Sequence, residues 1–192
     1  MELDTRINQI NEALAAAIQP PDDLWLAAHH GDWYSPYYGF MYHLARIIKP
    51  NLSFETGVHN GRASASLAVG YPDGMVVGVD PHDHPMLDNV RQHCKNFVFL
   101  QSSSTFKNTI DYITNLPHKI DILHFDTEHS YGQVMNEWIA HRNSITNGTV
   151  LLFDDTHACD DSVLRAVYDL PLRWRMKADW LHPVCGYAIG IL

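Results

Sequence analysis

The feature that most constrains this 192-residue chain is an alternation of short apolar runs with stretches of helical spacing. The runs at 52–56, 75–80, 97–101, 120–126 and 149–154 read as strands, and 62–69, 86–94, 105–115 and 131–142 read as the helices between them. Strands that are apolar on both faces and alternate with helices build a parallel sheet covered on both sides. Right-handed crossovers then leave few topologies. The end of the chain departs from the pattern. After a helix at 161–169, strands at 172–179 and 185–192 are separated only by a short loop holding His182-Pro183. That gap is too short for a crossover helix, so the two form an antiparallel hairpin at one sheet edge. The expected fold is α/β, a doubly wound, mostly parallel seven-stranded sheet closed by a C-terminal antiparallel hairpin.

Ahead of this pattern, Ile7, Ile10, Leu14 and Ile18 recur at helical spacing until Pro20-Pro21 ends the run. An aromatic loop follows through Trp25, His29, His30, Trp33 and Tyr34, up to Tyr38. It reads equally as a lid over a ligand or as packing against the sheet edge. Ser35-Pro36 has the form of an N-cap followed by proline at the first helical position, opening a helix that buries Phe40, Leu44, Ile47 and Ile48. No linker divides the chain. We expect one domain over 1–192, with N-terminal helices and the aromatic loop in 1–50 and the α/β core in 51–192.

Charge and cysteine content narrow the function. Twenty-two acidic residues against 13 basic ones give a net charge of −9, and no basic run is present to displace counterions from a phosphate backbone. Nucleic acid is therefore not an expected partner; a small molecule is. Cys94, Cys159 and Cys185 are odd in number and widely spaced, so neither a disulfide framework nor a thiolate zinc motif is indicated. Charged residues interrupt 1–20, and no apolar stretch has the length of a membrane span. The expectation is a cytoplasmic protein without a membrane partner; a homo-oligomer stays open.

The segment 54–64 lies between the first strand and its helix. Ligands of open α/β sheets bind beyond the carboxyl ends of the strands, and glycine there permits a positive φ or a close backbone approach. The dinucleotide fingerprint needs glycine where this chain has His59. The spacing Glu55-x-Gly57-x-x-x-Gly61-x-x-Ser64 instead resembles motif I of the class I S-adenosylmethionine-dependent methyltransferases. The resemblance implies that Glu55, Gly57, His59, Gly61 and Ser64 line the cofactor site, with the acidic residue placing the methionine end. The alternative is a strand–helix turn whose glycines only permit tight packing. Asp80 ends the second strand about twenty residues on, where a carboxylate accepts hydrogen bonds from ribose hydroxyls, or caps the turn that follows. Ser102-Ser103-Ser104 follows the third strand, and Ser103 falls where this fold contacts adenine. Serines there are also ordinary N-caps.

The stretch 121–131, Asp-Ile-Leu-His-Phe-Asp-Thr-Glu-His-Ser-Tyr, resembles the Ile-Asp-Gly-Asp-His-Ser-Tyr motif of a subgroup that includes metal-dependent small-molecule O-methyltransferases. Thr127 and Glu128 are the departures from it. The next strand ends in Asp154-Asp155, also as in that subgroup. Neighbouring strands four and five would bring Asp126, Asp154 and Asp155 to one edge. Adjacent strand residues face opposite ways, so the pair converges only if the strand ends between them. Gathered carboxylates raise one another's pKa unless a cation sits among them. An oxygen-rich site suits Mg²⁺, with Mn²⁺ or Ca²⁺ as alternatives. The resemblance implies methyl transfer to a hydroxyl oxygen, since no Asn-Pro-Pro-aromatic motif follows strand four. Asp126 would serve both cofactor and catalysis, and His129 or His157 is a candidate general base if no metal is present. Two other readings remain at this point. His124-x-Asp126 with a further histidine matches the ligands of a metal-dependent hydroxylase built on the same fold. A cofactor-binding module without catalysis is the other.

Overall fold

The computed structural model describes residues 2–19, 21–31 and 35–192, apart from the side chain of Cys159. Pro20, Trp33 and Tyr34, named above, lie outside the described residues. Strands β1 (Leu52–Thr56), β2 (Met75–Asp80), β3 (Phe97–Gln101), β4 (Ile120–Phe125) and β5 (Ile145–Asp154) pair in parallel, and β6 (Trp174–Lys177) and β7 (Tyr187–Ile191) pair antiparallel. The sheet order is β3-β2-β1-β4-β5-β7-β6, so the terminal hairpin docks through β7 onto β5 and leaves β6 at the edge. The expected architecture is the observed one.

Helices α1 (Leu3–Ala16), α2 (Leu24–His30), α3 (Pro36–Ile48), α4 (Arg62–Gly70) and α5 (Leu87–His93) pack on one face of the sheet. Helices α6 (Lys107–Thr114), α7 (Tyr131–His141) and α8 (Ala158–Asp169) cover the other. The alternation of strand side chains supplies both cores: Val150 and Leu152 face the first layer, Leu151 and Phe153 the second. In α3, Phe40, Met41 and Leu44 are fully buried, each contributing roughly 1.5–3 kcal/mol.

Several local expectations need correction. Residues 24–30, read as loop, form α2, because Asp23 caps it by accepting the Leu26 N–H at 2.8 Å and Leu26 enters the core. Trp25 stacks on His93 at 3.9 Å rather than on the sheet edge. Ser35 stands at the N-cap of α3, but its hydroxyl donates to the Leu181 carbonyl at 3.0 Å instead of capping. Helix α1 stops at Ala16, which leaves Ile18 exposed, and Ile139 of α7 points to solvent while Val134 and Trp138 pack inside. Strand β4 ends at Phe125, one residue before Asp126, and β5 starts earlier than expected, at Ile145, across an irregularity in its pairing with β4.

His30 gives this layer a pH dependence. It is 1% exposed, its Nε2 lies 3.1 Å from the Ser66 hydroxyl, and burial pulls its pKa down to about 3. The unfolded chain takes up a proton near pH 6.5 that the folded chain refuses. Stability is therefore full above pH 6.5 and falls as pH drops from there toward 3. Between pH 6.5 and 5 the wild type should lose roughly 1–2 kcal/mol more than a His30→Asn variant, measured by urea denaturation. Parallel acid limbs for the two proteins would refute this assignment.

Candidate active site

Strand register levels the site. Thr56 sits opposite Val79 and Phe125, and Phe125 opposite Phe153. Glu55 and Gly57, Asp80, Asp126 and Asp154 therefore reach the same carboxyl edge, flanking the point between β1 and β4 where the strand order reverses. The Gly57 N–H donates to Val79 O at 2.9 Å, and the Asp126 N–H to Thr56 O at 3.0 Å. Gly57 has φ +83°, and a Cβ there would lie 1.9 Å from the Asp126 carbonyl. Gly61 opens α4 at φ +81°. The two glycines thus meet the packing requirement and at the same time keep the loop open.

The His59 N–H donates to Asp80 Oδ2 at 3.0 Å, and the His82 N–H to Oδ1 at 2.8 Å. Asp80 caps its turn and also borders a cleft of about 410 Å³ lined by Gly57, His59, Pro81, Asp126, Thr127 and His129. Beneath it, Glu55 is 1% exposed, accepts a hydrogen bond from the Ser64 hydroxyl and lies 3.1 Å from His124 Nδ1. Burial opposes a charge on His124, but the Glu55 carboxylate outweighs it and raises the pKa. Ser64 is fully buried and positions Glu55 rather than facing the cleft. Ser103 is turned to Thr105, its Oγ 3.3 Å from Oγ1, and does not border this cleft.

Asp126 and Asp155 come together around His129, and Asp154, expected to join them, borders the same cavity. Strand β5 ends at Asp154, and Asp155 takes a left-handed φ of +53° that swings its carboxylate toward β4. His129 is clamped between carboxylates, with Nε2 3.3 Å from Asp126 and Nδ1 2.8 Å from Asp155. Those two bonds, from Asp126 first, push its pKa up to about 10. Burial, then the charge of Asp154, lifts Asp126 to about 7. Burial also presses Asp155 upward, but the His129 hydrogen bond leads the attractions that hold it lower. Asp154 is bound by His182, whose Nδ1 lies 2.7 Å away and whose pKa rises for that reason. His157 turns elsewhere, its Nε2 3.3 Å from Asp179.

A second cavity of about 240 Å³ adjoins this cluster, bordered by Tyr37, Tyr38, Glu55, Asp126, Asp154, Asp155 and His182. Tyr37 and Tyr38 come from the first turn of α3, so one end of the aromatic segment does reach the site. Donor atoms of Asp126, His129 and Asp155 lie within 4.8 Å of one another, as do those of Asp155, His182 and Cys185. Sequence reasoning reached Tyr37 and Tyr38 only as part of an aromatic segment that could equally be packing, and missed His182 and Cys185 as site residues, because no motif joins them. It also missed Glu137, buried in α7, which accepts hydrogen bonds from Ser104, Thr127, Thr56 and Gln133 and braces the loops after β3 and β4. A lone acid on the apolar side of a helix was its only signal.

A methyltransferase-domain family model matches residues 54–156, from the first strand tip through the acidic pair, and the chain belongs to that family. No curated protein matches the sequence. Among solved structures, a methyltransferase from Geobacter sulfurreducens aligns at TM-score 0.68 and 17% identity, over 98% of this chain and 97% of that one. The O-methyltransferase TomG from Streptomyces achromogenes, involved in tomaymycin synthesis and bound to SAM, aligns at 0.66 and 14%, over 95% of each chain. The MycE methyltransferase of the mycinamycin pathway, bound to Mg and SAH, aligns at 0.64 and 15%, over 90% of this chain and 55% of that one. At these identities the likeness carries the fold. Among the described residues, no helix is long and apolar enough to cross a membrane.

Proposed function

We propose that this chain transfers a methyl group from S-adenosylmethionine to a hydroxyl oxygen of a small molecule. The observation that carries this reading is the convergence of Asp126, His129 and Asp155 beside the Gly57–Asp80 cleft, at one level of the sheet edge. The cleft has the size and the strand-tip carboxylate for the donor, and TomG, similar in fold, holds SAM. Gly57, His59, Gly61 and Asp80 would border the donor, with Glu55 and Ser64 beneath it and Asp126 at its inner end. Ser103 would act only through its loop. The smaller cavity under Tyr37 and Tyr38 would admit the acceptor.

Asp126 and Asp155 offer carboxylate oxygens that fit a divalent cation, and MycE holds Mg. Asp154, expected as a third ligand, borders the same cavity but is tied to His182. When bound, such an ion would stabilise negative charge on the acceptor oxygen. His129, bonded to a carboxylate through each ring nitrogen, has no lone pair left to receive a proton. It holds positive charge between the acids. With no ion bound, Asp126, lifted to about 7, is the group poised to take the acceptor's proton. His157, facing Asp179, is not placed for that role. A hydroxylase built on His124 is not favoured: donor atoms of Glu55, His124 and Asp126 lie within 4.8 Å of one another, but no second histidine joins them and the ring is fully buried on Glu55.

The test supplies methyl-labelled S-adenosylmethionine with a panel of hydroxylated small molecules. In metal-free protein we expect label on oxygen, a rate that rises through about pH 7 as Asp126 loses its proton, and a loss of about 10²–10⁴-fold in Asp126→Asn. Transfer to nitrogen, or a pH profile unchanged in Asp126→Asn, would contradict the assignment. Donor binding without transfer to any acceptor would favour a binding module.

A further inference from the structure

The loop between β6 and β7 carries His182 and Cys185 on one turn, and both face Asp155. We propose that Asp155, His182 and Cys185 form a binding site for a divalent transition-metal ion of the zinc and cobalt type, which shares Asp155 with the oxygen-rich set a hard cation would use.

The turn is built to hold these side chains in place. The Gly186 N–H donates to the His182 carbonyl at 2.8 Å and closes it. The His157 N–H donates to the Cys185 carbonyl at 2.8 Å, and the Thr156 N–H to the Gly186 carbonyl at 3.4 Å, so the turn is stitched to the two residues after Asp155. Gly186 has φ +80°, and a Cβ there would meet Thr156 Oγ1 at 2.4 Å and the His157 ring at 2.8 Å. The loop is thus pressed onto the end of β5 as closely as a backbone can approach.

Asp155 supplies the independent observation. One carboxylate oxygen, Oδ2, is engaged by His129 at 2.8 Å. The other, Oδ1, is buried, meets no N–H or O–H donor among the described residues, and lies 3.8 Å from His182 Nδ1, and the Cys185 thiol faces the same carboxylate. A weak thiol donor compensates a buried carboxylate oxygen poorly, and here the neighbouring ligand atoms are an imidazole nitrogen and that sulfur, all within 4.8 Å. An oxygen, a nitrogen and a sulfur ligand disfavour Mg²⁺, which takes oxygen, and suit a borderline dication. Three protein ligands leave a position open, as in catalytic zinc sites. Asp154, at 2.7 Å from His182 Nδ1, holds that ring in place beside Asp155. The inference deepens the proposed methyl transfer by naming an ion beside the acceptor cavity, and only that connection rests on the methyl-transfer reading.

The experiment titrates Co²⁺ into tag-free, metal-free, full-length protein and reads the optical spectrum. One equivalent should produce a thiolate-to-cobalt charge-transfer band, which Zn²⁺ abolishes and a hundredfold excess of Mg²⁺ leaves in place. Cys185→Ser should lose the band and Cys94→Ser keep it, while His182→Ala should weaken Co²⁺ binding at least about tenfold. Absence of the band in the unmodified protein, its persistence in Cys185→Ser, or its loss to Mg²⁺ would overturn the proposal. The first of these needs no variant to fold. A melting-temperature shift with S-adenosylhomocysteine on the same metal-free sample reports the donor site separately, so failure of one reading is distinguishable from failure of the other.

Discussion

Replacing Gly57 with alanine is expected to abolish donor binding and to destabilise the fold by about 2–5 kcal/mol. Two effects add. At φ +83° an L side chain strains the backbone, and the new methyl group would sit 1.9 Å from the carbonyl of Asp126. That neighbour is backbone, fixed by the Asp126 N–H bond to Thr56 O at 3.0 Å, so it cannot step aside as a flexible side chain would. Relief requires β1 and β4 to part at the level where the cleft begins. Gly132→Ala is the matched control: it lies in α7, its added Cβ meets nothing within 4 Å, and the change should be neutral or stabilising by about 0.4–1 kcal/mol. Urea denaturation of the three proteins reads both numbers. Equal stability of the two variants would show that the loop yields where the structure says it is rigid.

The second large effect is expected at Glu55. Glu55→Ala should cost about 3–5 kcal/mol, because it strands His124 without its partner in a fully buried position. The Ser64 hydroxyl loses its acceptor in the same step. Removing both members is milder than removing one: Glu55→Leu combined with His124→Phe should recover most of the stability, as buried pairs replaced by apolar residues commonly do. It should not recover donor binding if Glu55 places the methionine end. A double variant as unstable as Glu55→Ala would contradict the pairing. A stable double variant that binds the donor normally would remove Glu55 from the cofactor site.

What the sequence made legible follows from where the information lies. Strand tips are local: an apolar run, a turn residue and a carboxylate sit within ten residues, and the parallel topology then brings Asp80, Asp126 and Asp154 to one edge. The terminal hairpin was legible because only a short loop separates its strands. Helix α2 was not, since seven residues rich in Trp and His show too little periodicity and its stability comes from Asp23 and the burial of Leu26. His182, Cys185 and Tyr37 reach the site from loops and helix ends distant in sequence, and single residues in such places carry no spacing to recognise. The charge on His129 was hidden for a related reason. It depends on two carboxylates converging on one ring, and one of them does so only through the left-handed turn at Asp155.

Methyl transfer by this chain requires a donor site between Gly57 and Asp80. Isothermal titration of metal-free protein with S-adenosylhomocysteine tests it most directly. We predict saturable one-to-one binding that raises the melting temperature, is lost in Gly57→Ala, and weakens at least about tenfold in Asp80→Ala, the equivalent of about 1.4 kcal/mol. No binding heat and no change in melting temperature at about 1 mM ligand would contradict the central claim.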